Sequence, residues 1–199
     1  MRSKPCKANF HDLSKFQGPS LAWGREDCQE GWHRFFYDKF QSEGWWCSVL
    51  DVGAGMGFSK FRINNCYTQD PWPSTDVDFH CALDEFPTGS FDCVTAFDVI
   101  EHVVEDLDFL AQLLRIARRY VFVTTPNEEV SGARNGCHAR EYSTEEFARL
   151  LQVTDPVTRG RYPVHFFSGD GPGNEIKEMK WDDPERSKYP HQAALVEKS

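Results

Sequence analysis

The chain has 199 residues, 40% of them hydrophobic and 27% charged, as expected for one globular domain with a substantial core. Its formal net charge of −9 disfavours nucleic acid as a partner, because proteins that grip phosphate backbones usually carry a basic face. No apolar run approaches a membrane span or a signal core, and the seven cysteines form no Cys-x-x-Cys pair; free thiols in a cytoplasmic, reducing setting are expected, without a zinc cluster.

Residues 1–30 are polar and irregular, with Pro5, Gly18, Pro19 and Gly24. In 31–43, Trp32, Phe35, Phe36 and Phe40 fall at helical spacing, and Gly44 ends the helix. This aromatic stripe reads as packing, as do Trp45 and Trp46. Residues 48–52 then read as a buried parallel strand that stops at a turn with glycines at 53, 55 and 57. Glycine has no Cβ and tolerates positive φ, so backbone N–H groups in such a turn can reach a ligand. The spacing G-x-G-x-G lacks the later glycine of the dinucleotide fingerprint.

A short helix is predicted near 57–62, a second strand over 64–69 and a third near 77–83. Gly57 and Asp70 are too close for a full helix plus strand, so the crossover helices after strands one and two are expected to be shortened. The fourth strand, 91–97, is the clearest, introduced by the turn Thr88-Gly89-Ser90. Residues 103–119 predict an amphipathic helix with Val103, Leu107, Leu110, Leu114 and Ile116 near one face. Arg115, Arg118 and Arg119 come late in it, where cations suit the dipole. Tyr120–Thr124 predicts a fifth strand closed by Pro126, and Ser143 with Glu146 predicts a capping box opening a helix over 143–152. Beyond it, 166–173 reads as a glycine-rich loop, 175–190 as polar, and 193–198 as a final edge strand.

Strands alternating with helices predict an α/β fold with a mostly parallel sheet and helices on both faces. Ligands of such sheets sit beyond the carboxyl ends of the strands. Asp70, at the tip of the second strand, offers two acceptor oxygens suited to both hydroxyls of a ribose; the alternative is a turn-initiating acid before Pro71.

The order VLDVGAG, an acid after the second strand, FPTGSFDCVTAFDVIEHV and YVFVTTPN resembles the class I S-adenosylmethionine-dependent methyltransferases over residues 45–152. The resemblance implies a Rossmann-like, seven-stranded sheet with S-adenosylmethionine as cofactor across its first strands. It implies that Asp51, Gly53, Ala54 and Gly55 border the methionine part of the donor, Asp70 the ribose, and Leu83 and Asp84 the adenine. Phe97 and Asp98 are implied to line the floor beneath the sulfonium. Cys81 or Ala82 stands where many relatives carry an acid. The expected organisation is one domain: a helical or lid segment (1–44), a donor-binding core (45–152), and C-terminal strands with an acceptor-side loop (153–199). Trp23-Gly24-Arg25 and the 166–173 loop are candidate lids.

TTPN and HAREYS are similar to segments of bacterial methyltransferases of metabolite and glycan pathways, which implies a small-molecule or sugar-like acceptor methylated at oxygen or nitrogen. His102 and His138 are the candidate catalytic bases, since imidazole titrates near neutrality; alternatively the Glu-His pair caps its helix or orders the loop. Asp98, Glu101, His102 and His138 also resemble the two-carboxylate, two-histidine set of small-RNA 2′-O-methyltransferases, where a divalent ion activates the terminal ribose. That group has Glu where this chain has Asp98, and the reading preferred from the sequence has no metal. A donor-binding module without turnover is the remaining alternative.

Overall fold

The fold is built around one seven-stranded sheet in the order β2-β1-β3-β4-β7-β5-β6. The structure is a computed structural model describing residues 25–42, 48–72, 76–131, 138–152, 161–169 and 175–198. Trp23, Gly24, Trp45, Trp46 and 170–173 lie outside the described residues. The strands are β1 (Val49–Val52), β2 (Cys66–Gln69), β3 (Phe91–Phe97), β4 (Ala117–Pro126), β5 (Val164–Gly169), β6 (Lys177–Met179) and β7 (His191–Glu197). From β2 to β4 all neighbours are parallel, and β4-β7-β5-β6 are antiparallel.

β1 and β3 sit inside the parallel half and are buried almost throughout, which is why their sequences are nearly continuous apolar runs. Each face of the sheet carries its own core. On one, α2 (Asp106–Ile116) sets Leu110, Leu113 and Ile116 against Leu50, Val94, Val121 and Val123. On the other, α1 (Arg25–Phe36) and the π-helical turn Tyr37–Gln41 set Trp32, Phe36 and Phe40 against Val49, Phe122, Phe167 and Leu195. The aromatic stripe is therefore packing; each such ring, fully buried, contributes on the order of 2–3 kcal/mol.

The shortened crossovers are present. Between β1 and β2 the chain makes one 3-10 turn, Phe58–Phe61. The strand expected near 77–83 reduces to a single parallel bridge, Gln69 to Phe79, followed by a 3-10 turn at Leu83–Glu85. Asp78 fits the interruption: its Oδ2 accepts from the Thr68 hydroxyl and from the Thr68 backbone N–H, the β2 donor a third strand would have needed.

The helix expected over 103–119 begins later and ends earlier. Ala117 is already extended, so Arg118 and Arg119 fall in β4 and Arg115 alone of the three lies in the last turn of α2, as expected; Arg115 and Arg118 also serve as tethers. Arg115 donates to the Leu83 and Phe86 carbonyls, and Arg118 pairs with Asp92 and donates to the Gly89 carbonyl. Ser143 caps α4 (Thr144–Leu150) in the expected capping box; a four-residue helix, α3 (Glu128–Ser131), precedes it.

Two expectations near the C-terminus are overturned. Residues 166–169 belong to β5, since Phe166 and Phe167 fill opposite cores and outweigh the glycines that follow. The final strand lies inside the sheet between β4 and β5, because Ala193, Ala194 and Val196 are apolar on both faces and fully buried.

Candidate active site

Asp51, Gly53, Ala54, Gly55, Asp70, Phe97 and Asp98 lie at or just after the carboxyl ends of the parallel strands β1, β2 and β3, and Leu83 and Asp84 lie in the 3-10 turn Leu83–Glu85. Gly53 has φ 68°, and a Cβ added to it would meet Val99 Cγ2 at 2.7 Å, so both conformation and space require glycine. Gly55 has φ 57°, and a Cβ there would meet nothing within 4 Å among the described residues, which leave the turn open. The Gly55 N–H donates to Asp70 Oδ2 at 3.1 Å, joining the turn to the acid directly after β2. Asp70 Oδ1 accepts from the Trp72 N–H, which makes the Asx turn before the chain leaves the sheet. Burial raises the Asp70 carboxyl above its ordinary value, while the Trp72 and Gly55 N–H groups and His80 lower it.

Asp51 pairs in register with Thr68 on one side and Thr95 on the other. Thr95 Oγ1 donates to Asp51 Oδ1 at 2.9 Å. Burial pushes the Asp51 carboxyl up to about 7, against hydrogen bonds from Ser59 and Thr95 that lower it, with the Asp70 charge raising it further. Ala54 donates its N–H to the Gln69 carbonyl. Gln69 is a residue the sequence reading missed: its side chain accepts from the Gly53 N–H and donates to the Cys81 carbonyl. It thereby ties the glycine turn to the segment holding Leu83 and Asp84. Leu83 packs against the α2-side core, and Asp84 is exposed.

At the end of β3, Phe97 is buried in the α1-side core, its ring 4.4 Å from that of His33. Burial lowers His33 to about 4, with Asp98 opposing and Arg62 assisting, so this imidazole is neutral at pH 7. Asp98 Oδ1 accepts from Thr124 Oγ1 at 2.8 Å.

A 3-10 turn, Ile100–His102, follows and leads back to the donor side through Val99, which packs on Gly53. Glu101 is buried and accepts at Oε2 from Thr125 Oγ1. Its carbonyl accepts from the N–H groups of Ala139 and Arg140, which clamps the loop after β4 onto the turn. The rings of His102 and His138 consequently meet edge to face, 4.9 Å between centroids. His138 Nδ1 is also 3.6 Å from Glu141 Oε1. Ligand atoms of Glu101, His102 and His138 all lie within 4.8 Å of one another. Asp98, the fourth member suggested by the sequence, stands outside this group, its carboxylate turned to Thr124.

The family model described as a methyltransferase domain matches residues 20–171. No curated protein matches the sequence. The fold is similar to a Thermotoga maritima S-adenosylmethionine-dependent methyltransferase described as a possible histamine N-methyltransferase: TM-score 0.59, 14% identity, covering 89% of this chain and 100% of that one. It is similar to magnesium protoporphyrin IX methyltransferase from Synechocystis PCC 6803, solved with bound S-adenosylmethionine: TM-score 0.56, 12% identity, covering 92% and 88%. A third similarity is to a chain of the Pnkp1/Rnl/Hen1 RNA repair complex: TM-score 0.58, 16% identity, covering 86% of this chain and 42% of that one. Among the described residues, no helix is long and apolar enough to cross a membrane. The chain belongs to the methyltransferase domain family, and its fold is that of S-adenosylmethionine-dependent methyltransferases.

Proposed function

We propose that the protein transfers the methyl group of S-adenosylmethionine to an oxygen or nitrogen atom of a small-molecule or sugar-like acceptor. The observation that carries the proposal is the link from donor turn to imidazole pair: Val99 packs on Gly53, and His102 with His138 follows at the same strand ends. The open Gly55 turn bound to Asp70 fits the donor, with Asp51, Gly53, Ala54 and Gly55 at its methionine part and Asp70 at its ribose. Two of the roughly four lone-pair positions of the Asp70 carboxylate are taken, leaving others for ribose hydroxyls. Leu83 and Asp84 take the adenine side, and Phe97 and Asp98 the floor of the cleft. When bound, the donor supplies an activated methyl on a sulfonium, open to in-line displacement.

The protein's task is then to align the acceptor and accept its proton. His102 or His138 receives that proton as the new bond to carbon forms. Glu101 and Glu141 orient the two rings by holding the loop and by charge. The net charge of −9 supports a small acceptor over a polyanion, and the thiols of Cys66 and Cys81, which form no disulfide among the described residues, fit a cytoplasmic setting.

A second reading is favoured by one observation, the approach of Glu101, His102 and His138 within 4.8 Å. One carboxylate and two imidazoles suit a divalent ion, which would draw the same site towards metal-assisted methylation of an RNA 2′-hydroxyl. Labelled methyl transfer to panels of small alcohols, amines and sugars, and to short RNA ends, with and without chelator, tests both readings. Chelator-resistant labelling of a small acceptor is expected. Labelling confined to RNA and lost with chelator replaces the first reading by the second.

A further inference from the structure

Besides His33, another imidazole meets the strand ends from the α1 face of the sheet. β7 begins at His191, opposite Pro126 of β4. Ala193 and Leu195 pack in the core under α1, and alternation along the strand puts His191 on that face. There its Nδ1 lies 4.0 Å from Asp98 Oδ1. Nδ1 is shut off from solvent without a hydrogen-bond partner among the described residues, yet the side chain is 15% exposed, so the exposure belongs to its other atoms.

Asp98 is held for this role. Its φ of 54° is left-handed, a conformation uncommon outside glycine that costs on the order of 1 kcal/mol or more. Thr124 secures it twice: Oγ1 donates to Oδ1, and the Asp98 N–H lies 3.0 Å from the same oxygen. Thr124 and Thr125 face opposite sides of β4. The Asp98–His191 pair and the Glu101–His102–His138 group therefore approach the strand ends from two directions.

We propose that His191 is a further residue of the methyl-transfer site, gripped at Nδ1 by Asp98 and presenting Nε2 to the acceptor's O–H or N–H from the α1 side. This rests on the reading above, which sets the donor's sulfonium over Phe97 and Asp98. A closure of about 1 Å brings the pair within hydrogen-bond range, and such bonds commonly tighten when ligand binds. With Nδ1–H donating to the carboxylate, Nε2 keeps a lone pair and is an acceptor only. The site then selects acceptors that carry a proton on the attacked atom, hydroxyls and primary or secondary amines, over tertiary amines and thioethers.

Histidine side-chain NMR tests this, on the protein alone, then with S-adenosylhomocysteine, then with sinefungin, a donor analogue bearing an amine in place of the methyl-sulfonium. The His191 signals, assigned through His191→Gln, are expected to report the Nδ1–H tautomer and to shift more with sinefungin than with S-adenosylhomocysteine. Asp98→Asn is expected to abolish the tautomer preference. Ligand binding that leaves the His191 signals in place overturns the proposal and leaves the donor reading standing, as does a tautomer indifferent to Asp98→Asn. Failure of both ligands to bind overturns the two together.

Discussion

The parallel and antiparallel halves of the sheet differ in degree in how fully their buried polar groups are bonded. In the parallel half, Asp51 is bonded to Thr95, Thr68 to Asp78, and Gln69 to both Gly53 and Cys81. Among the described residues beyond β4, Ser168 Oγ, Gln192 Oε1, His191 Nδ1, and Nε and Nη2 of Arg186 are buried without hydrogen-bond partners, against Ser90 Oγ beside β3. An unpartnered buried group costs about 1–3 kcal/mol. The side chains around the glycine turn are thus bonded to one another before any ligand arrives, and most of the unmatched polar atoms lie in the other half. That division suits an enzyme whose donor is constant and whose acceptor is particular to it.

The severest test of the arranged half is Gly53→Ala. The new Cβ would lie 2.7 Å from Val99 in a left-handed backbone. A loss of about 3 kcal/mol, read as lower thermal stability or as donor binding weakened more than about 100-fold, is expected. Asp70→Ala comes next. Removing the carboxylate that receives Gly55 should weaken donor binding by roughly 2 kcal/mol, about thirtyfold, with much less change in unfolding.

Asp51 gives a pH signature. Its folded carboxyl, pushed up from 3.8 to about 7, stays protonated where the unfolded one has ionised. The folded state is then disfavoured progressively as pH rises across that window, by at most about 1.4 kcal/mol per unit. Denaturant midpoints should fall from pH 4 to pH 7 in the wild type and flatten in Asp51→Asn.

Smallest of all should be Arg186→Met. Its guanidinium stacks on Phe166 and donates from Nη1 to the Trp181 carbonyl, but the Nε–Nη2 edge has no acceptor among the described residues. An apolar replacement should stay within about 1 kcal/mol of wild type. A loss of several kcal/mol would erase the contrast between the halves.

The same division runs through what the amino-acid order reveals. The strand 91–97, the glycine turn and Asp70 are local: each follows from a continuous apolar run, a need for positive φ, or a residue type at a strand tip. Interleaving β7 between β4 and β5 depends on contacts between segments about 70 residues apart (Thr124 with Ala193), which no local pattern encodes. Arg118 was legible as a cation but not as the partner of Asp92, because that choice is made by packing. Gln69 and His191 carry no motif, and only the register of their strands brings them to the site. The imidazole pair lay between: His102 and His138 stood out by type, and the clamp of Glu101 on 139–140 that joins them did not.

Titration calorimetry of the purified protein with S-adenosylhomocysteine, beside Asp70→Ala, tests the central claim most directly. The account predicts saturable binding at about 100 μM or tighter in the wild type and a roughly thirtyfold loss in the variant. No binding up to millimolar ligand, or equal affinity in the two proteins, would contradict it.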